Sequence, residues 1–375
     1  MRCRPLSFPI TLVLVAILVS LRPAAANETP VGEITEIKGP VDVVRDDGCR
    51  VRAEKGTALF PGDQVITGEG GSAGFSLKQG DQFRLGEDAH VSIDELSGPE
   101  VEDHRPILQL ALGYLWSKIQ KLRGEPCGTV IHTPTAVLGV RGTEFETVVA
   151  LDATSIVTVD DGTVEVETEG QKTLVESGKM TEVALDEKPM ATVKALPKDM
   201  RDWKKWRKRK IKRLFKNLPQ KAPRFRERFE MRVDRFSRFT ARIRESSAQI
   251  DTTIEKIRQA RMDRDRQKVV ASMSELKFQV ERYKPMVWKF RRALNRVRVM
   301  GRLSRRLEKF VSKNQEHFSA QELASINSHL SAVGEKRDQL KTVARNTVQS
   351  IRATFKKLRD LKEEGRMNRA RRLKG

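Results

Sequence analysis

The spacing of apolar residues changes near Pro197, and this change limits what the chain can fold into. Up to about Leu185, apolar and polar residues alternate, as in 163-TVEVET-168. From Phe225 onward, apolar residues recur every three or four positions. Alternation predicts strands with one buried face, whereas spacings of three and four predict amphipathic helices. The sequence therefore predicts a multidomain protein, with an all-β module followed by an all-α module.

The charge changes at the same place. Residues 1–200 hold 20 Lys and Arg against 31 Asp and Glu, a net charge of −11, and residues 201–375 hold 52 against 19, a net charge of +33. A strongly basic module attracts polyanions. We therefore expect two modules with different surfaces and an anionic partner.

The first 26 residues have the pattern of a signal peptide. Basic residues in "MRCR" precede the apolar run "ITLVLVAILVSL", and Ala24–Ala26 offer small residues for cleavage. The run is shorter than the ~20 apolar residues of a membrane-spanning helix. We expect cleavage after Ala26 and a periplasmic or secreted protein. An uncleaved anchor in the inner membrane is the alternative.

Two cysteines, Cys49 and Cys127, follow the predicted cleavage point. An oxidising compartment would permit a disulfide between them, and two separate thiols are the other interpretation. The cysteines and the five scattered histidines lack the spacing of metal ligands. We expect no metal and no cofactor.

Residues 27–195 are predicted to be the β module. Asp47-Gly48 and Asp161-Gly162 lie between β-branched runs and predict hairpins. Turn residues return about every 8–12 positions, which favours a sandwich, a barrel or a short solenoid. The run "ILQLALGYLWSKIQKL" fits either a helix or a strand, and we favour the strand.

The order and spacing of the turn motifs in this module resembles the FecR domain, over roughly Val31 to Leu185. The residues that carry the resemblance are Gly62, Asp63, Thr67, Gly68, Thr133, Pro134, Gly139, Arg141, Gly142 and Thr143. The resemblance implies a membrane-anchored regulator that relays a signal from an outer-membrane siderophore receptor to a cytoplasmic sigma factor. Only about nine residues precede the apolar run here. We therefore expect the secreted or periplasmic kind of FecR-domain protein.

The chemistry of these motif residues supports a folding signature more than a ligand site. Pro134 restricts Thr133 to an extended backbone, and Gly139 and Gly142 suit bends or close approaches. Arg141 follows an apolar run, and if buried it needs an acceptor. The candidate partners are Asp63, Asp81, Glu87 and Glu144.

Residues 196–223 are predicted to form a basic linker helix. If this helix lies at a membrane interface, the residues that would contact anionic lipid are Trp203, Lys204, Lys205, Trp206, Arg207, Lys208, Arg209 and Lys210. The alternative is a charged linker whose two tryptophans pack on the β module. Pro219 and Pro223 are expected to separate this helix from the rest.

Residues 224–375 are predicted to form a basic bundle or coiled coil of three long helices. The first would extend from Phe225 to about Tyr283, where Lys284-Pro285 should break or kink it, and Gly301 should interrupt the second. Ser319 and Glu322 form a capping box at the start of the third. The apolar seams must pair within the chain or between chains, so a homo-oligomer is one expectation.

These patterns predict a binding protein. The chain has no phosphate-binding glycine loop, no metal cluster and no nucleophile–base arrangement, so we do not expect an enzyme. Our main interpretation is an envelope binding or scaffolding protein that contacts an anionic envelope component (lipid, lipopolysaccharide or wall polymer) or an envelope protein. Export makes nucleic acid an unexpected partner. The alternative function is a FecR-type signal transducer that works with an outer-membrane receptor.

Overall fold

A computed structural model describes residues 29–94, 106–121, 128–168, 171–185, 192–195 and 202–374. A large β region over about residues 30–195 is followed by three long helices, as the change of period predicts. The predicted signal peptide and Cys127 lie outside the described residues. Cleavage and the disulfide therefore stay predictions, and the Cys49 side chain is exposed.

The β module contains seventeen strands in its described part. They are β1 Gly32–Lys38, β2 Val41–Val44, β3 Arg50–Arg52, β4 Ala58–Leu59, β5 Gln64–Thr67, β6 Ser72–Leu77, β7 Gln82–Leu85, β8 His90–Ile93, β9 Ile107–Lys118, β10 Val130–His132, β11 Val137–Val140, β12 Glu144–Val149, β13 Ser155–Asp161, β14 Thr163–Thr168, β15 Gln171–Glu176, β16 Lys179–Val183 and β17 Thr192–Ala195. The ambiguous apolar run is β9, so the preference for a strand is confirmed.

The strands form two sheets that share β9. One sheet has the order β4-β1-β6-β7-β9-β12-β13-β16-β17. The other has the order β3-β2-β5-β8-β9-β10-β11-β14-β15. The first half of β9 pairs with β8 and β10, and the second half pairs with β7 and β12. Gly113 lies where β9 passes between the sheets, with φ of +97°.

The core of the module contains side chains from both sheets. Phe75 and Phe83, which pair across β6 and β7, stack with ring centroids 4.8 Å apart. Val43 and Val65 of the other sheet belong to the same buried cluster. This apolar layer between the sheets is what the alternation in the sequence predicts.

One of the two predicted hairpins is confirmed and the other is wrong. β2 and β3 pair antiparallel around Asp47-Gly48. The strands that flank Asp161-Gly162 lie in different sheets, because β13 pairs with β12 and β16 while β14 pairs with β11 and β15. Gly162 makes a corner there, with φ of +88°. A Cβ at this position would lie 2.8 Å from the Gly142 carbonyl oxygen, so close packing accounts for the glycine.

The helices are α1 Trp203–Met262, α2 Arg266–Lys313 and α3 Ala320–Lys374, with a short 3-10 helix at Gln315–His317 before α3. The predicted break at Pro219 and Pro223 is wrong, because both prolines lie inside α1. A proline inside a helix costs ~3 kcal/mol. The stripe that contains Leu214, Leu218 and Phe225 is buried in the bundle core, and this burial offsets the cost.

The predicted single helix from Phe225 to Tyr283 is also wrong. The chain turns at 263–265, where Arg264 has φ of +55°, and the Asp265 carboxylate caps α2 by accepting from the Lys268 N–H at 3.0 Å. Pro285 and Gly301 lie inside α2. Asp is a typical N-cap residue, so Asp265 indicated a helix start, but the apolar spacing around it predicted one continuous helix.

The three helices pack against one another within the chain. Tyr283 of α2 shares a hydrogen bond of 2.9 Å with Ser247 of α1, and Lys357 of α3 lies 2.7 Å from Asp251 of α1. The seam residues are buried, and the predicted capping box forms, with the Ser319 N–H donating to Glu322 at 2.9 Å. The bundle is therefore intramolecular. None of the described helices is long and apolar enough to span a membrane.

Candidate functional site at the junction of the two modules

The first turns of α1 are anchored on the β module by the two tryptophans. Trp203 and Trp206 are buried in a cluster with Val148, Ile156 and Met180. The Trp203 indole N–H donates to Glu146 at 3.0 Å. Their rings cover apolar sheet surface, as the alternative of a charged linker packed on the β module predicts, and contact with lipid stays a prediction.

Three of the neighbouring basic residues contact the β module as well. Lys204 lies 3.1 Å from Glu87, the Arg207 guanidinium donates to the Glu87 carbonyl at 3.0 Å, and Lys210 lies 2.6 Å from Glu182. The hydrogen bond from Lys204 lowers the pKa of Glu87 below its usual value. Lys205, Lys208 and Arg209 are exposed, as is Lys204, which is paired with Glu87.

A buried ion pair joins α2 to the β module. Arg291 and Asp94 are both fully buried, and the Arg291 Nε–H donates to Asp94 at 2.9 Å. The guanidinium also lies over the Trp288 ring, 5.6 Å from its centroid. Beside this pair, the Gln109 side chain of β9 donates to Asn295 of α2. These buried polar contacts form only if the β module and α2 pack in one relative arrangement.

A second ion-pair cluster lies at the end of β14. Glu167 contacts Arg292 at 2.6 Å and Arg296 at 3.0 Å, both on α2. Burial raises the pKa of Glu167, but the two guanidiniums outweigh it and hold the pKa below its ordinary value. Glu167 is therefore charged near neutral pH and ties the sheet to the bundle.

The first group of motif residues stabilises turns in the β module. The Asp63 carboxylate accepts from the Phe60 N–H at 2.8 Å and pairs with Arg45. The Thr67 hydroxyl donates to the Gly86 carbonyl at 2.6 Å. Gly62 has φ of +93°, and a Cβ on Gly68 would lie 3.0 Å from the Pro40 ring. These four residues have structural roles.

In the second group, Gly142 and Thr143 meet the turn at Gly162. Gly142 has φ of +60°, and the Thr143 hydroxyl donates to the Thr163 carbonyl at 3.0 Å. Arg141 is exposed, so the condition of burial under which it would require an acceptor is not met. Gly139 has ordinary space around it, since a Cβ there would meet nothing closer than 3.8 Å. The close approach expected at Gly139 is therefore absent.

The Thr133–Ala136 segment is the part of the motif that faces the helices. The Thr133 N–H donates to the Ala136 carbonyl and the Ala136 N–H donates to the Thr133 hydroxyl, both at 2.9 Å. Ser155 and Thr135 complete the network, with the Thr135 hydroxyl donating to Ser155 at 2.7 Å. The loop between β10 and β11 is thus held rigidly by its own hydroxyl groups.

This loop forms one wall of a cavity of about 390 Å³ between the modules. Its other walls are α1 and α2. Its basic lining residues are Arg228, Arg232, Arg235, Arg238 and Arg296, and Asp234 is the acidic one. The volume lies in the range of ~300–1,000 Å³ usual for small-molecule sites. The cavity is concave, lies between two modules and is strongly cationic.

Arg232 has the most unfavourable position in this cavity. Burial, and then repulsion from Arg296, Arg228 and Arg235, lowers its pKa to about 9. Its side chain is half-buried, and among the described residues the acceptor it reaches is the Arg296 carbonyl, at the long distance of 3.5 Å. The guanidinium is still charged at neutral pH. An anion in the cavity would relieve this repulsion.

His132 lies in the chain next to the cavity loop. It is fully buried, and within the part of the chain that the structure describes its two ring nitrogens have no hydrogen-bond partner. Burial, with smaller contributions from Arg296 and Arg292, holds its pKa well below the usual value. His132 is therefore neutral and adds no charge to the junction.

Our sequence reasoning missed the cavity arginines. Arg228, Arg232 and Arg235 are spaced i, i+4 and i+7, so they lie along one face of α1 beside the apolar seam. That periodicity was the available signal. This spacing does not show that the arginine face of α1 packs near Thr133, which lies almost a hundred residues earlier in the chain.

The comparisons with known proteins bear on the β module. Residues 63–165 match the family model described as FecR protein. The chain carries a FecR domain. The resemblance inferred from the motifs is thereby confirmed, and the match includes the cavity loop but not the helices.

The solved structures are more distant. A "putative anti-sigma factor" from Parabacteroides distasonis ATCC 8503 is 16% identical over 35% of this chain and 59% of its own, with a TM-score of 0.30. A "Cell surface anchoring domain" is 30% identical over 17% of this chain and 84% of its own, with a TM-score of 0.17. This chain thus spans about three fifths of the first of these proteins. No curated protein matches the chain.

Proposed function

We propose that the protein is a non-enzymatic regulator of the FecR type that works in the cell envelope. The observation that carries this proposal is the FecR domain at residues 63–165, whose cavity loop lies on the helical bundle. The predicted signal peptide is consistent with a place in the envelope. The proposal adopts the alternative of the sequence analysis, since nothing in the comparisons favours scaffolding.

The junction supports a regulatory role because the FecR domain and the bundle are joined by buried polar contacts. The Arg291–Asp94 pair and the Glu167 cluster both cross the junction. A partner that displaces the FecR domain would break these contacts and so change the surface that the helices present. A regulator needs two such arrangements with different partner affinities.

Gene deletion with complementation tests this function. We expect deletion to change the transcription of a restricted set of genes and the wild-type gene to restore it. The Arg291→Met variant should restore wild-type transcription poorly. The control variant Arg209→Met, at an exposed site on α1, should restore it fully. RNA sequencing is the measurement. Unchanged transcription in the deletion strain would refute the proposal.

A second candidate function is binding to an anionic envelope surface, which the net charge of +33 over residues 201–375 favours. Lys205, Lys208 and Arg209 are exposed on α1, and Met262 and Val270 are exposed on both sides of the α1–α2 turn. The full chain should then sediment with anionic liposomes, less so as salt rises, and not with neutral ones. Binding indifferent to lipid charge would exclude it.

A further inference from the structure

We propose that the cavity between the FecR domain and helices α1 and α2 binds a small soluble molecule with two or more oxyanion charges, carried by phosphate or carboxylate groups. This site is independent of the regulatory function proposed above. It rests on the charge, the geometry and the size of the cavity.

The residues that line the cavity carry an excess of positive charge. Five arginines line it against one acidic lining residue, Asp234, and of these five Arg296 is held by Glu167 and Arg228 has a contact of its own. Within the described part of the chain, Arg235 and Arg238 form neither a hydrogen bond nor an ion pair. Arg228, Arg232 and Arg296 are half-buried, and guanidiniums in such positions repel one another more strongly than in bulk water. Two or more negative charges in the cavity would remove this cost.

The geometry suits oxyanions. Arg228, Arg232 and Arg235 project from one face of a rigid helix, and Arg296 approaches from α2. A guanidinium offers a planar fork of donors that matches phosphate and carboxylate oxygens. The loop at Thr133 and Thr135 is fixed by its own hydrogen bonds, so the opposite wall is preformed. Little ordering is then required on binding.

The size of the cavity and the origin of its walls favour a free molecule over a lipid surface. Its volume of about 390 Å³ accommodates a small molecule, and its walls come from the β10–β11 loop, α1 and α2. A solvated row of arginines on a flat helix face would not face a second wall from another module. The ligand would also bridge the FecR domain and the bundle.

Thermal unfolding of the full chain tests the proposal with sodium pyrophosphate and sodium citrate as probes. Each is compared with sodium chloride at equal ionic strength, so that screening is the same. We expect at least one probe to raise the Tm and to show saturable binding by calorimetry. Stabilisation by pyrophosphate alone would assign a phosphate ligand, and by citrate alone a carboxylate ligand.

Matched variants locate the effect. Arg232→Met should lower probe affinity at least tenfold while leaving the Tm without probe unchanged or higher, since it removes an unfavourable charge. Arg238→Gln, at an exposed position of the cavity, should weaken binding with no effect on folding. Arg209→Met, exposed on α1 outside the cavity, should bind like the wild type. Equal effects of probes and chloride, or equal losses in all three variants, would overturn the proposal.

Discussion

The buried Arg291–Asp94 pair should be the most sensitive point of the junction. Both side chains are fully buried, 2.9 Å apart, and belong to different modules. Asp94→Ala removes the carboxylate beside a guanidinium that stays charged in the interior, which costs about 3–5 kcal/mol of unfolding free energy. With an unfolding entropy of about 2.1 cal/mol/K per residue, a protein of this size should lose roughly 4–7 °C in Tm.

The double variant Asp94→Leu with Arg291→Met separates pairing from packing. It removes both charges and keeps apolar volume, so we expect it to be closer to the wild type than either single variant. Tryptophan fluorescence during thermal unfolding is a suitable assay, since Trp288 lies beside Arg291. The matched control is Glu165→Ala, which breaks the exposed Lys172–Glu165 pair and should cost less than about 1 kcal/mol. Equal losses from Asp94→Ala and the control would refute the reasoning.

Three further predictions concern other parts of the structure. Trp203→Ala should cost about 3–5 kcal/mol in urea unfolding because the ring is buried on the β module, and anionic vesicles should not shift the emission of the wild type. A shift on adding vesicles would show that the ring leaves the sheet. Glu167 has its pKa held below 4.5, so the stability it contributes is present above pH 4.5 and lost as pH falls through the lowered value. Glu167→Gln should therefore flatten the acid side of the curve of Tm against pH, and an unchanged acid side would contradict this. Gly113→Ala should destabilise by more than about 2 kcal/mol, since φ is +97° and the new Cβ would lie 2.5 Å from the Ala89 Cα. Gly48→Ala, with φ of +91° and open space around it, is the control for backbone strain alone, and equal losses would remove the steric argument.

Local patterns determined the kinds of element in this protein. Alternation up to Leu185 placed the strands, and spacings of three and four placed the helices. The capping box at Ser319 formed because its partners are three residues apart, so no distant contact was needed. The FecR motif was readable for the same reason, since its glycines and prolines stabilise local turns.

Only the tertiary structure decided how these elements continue and meet. Helix α1 passes through Pro219 and Pro223 because its apolar stripe is buried against partners distant in sequence. Asp161-Gly162 forms a corner between the sheets and not a hairpin, because β13 pairs with β12 and β14 pairs with β11. The cationic cavity arose where Thr133 meets Arg232. Periodicity specifies that one face of an element is buried, whereas the partner of that face depends on which distant surfaces the folded chain brings together.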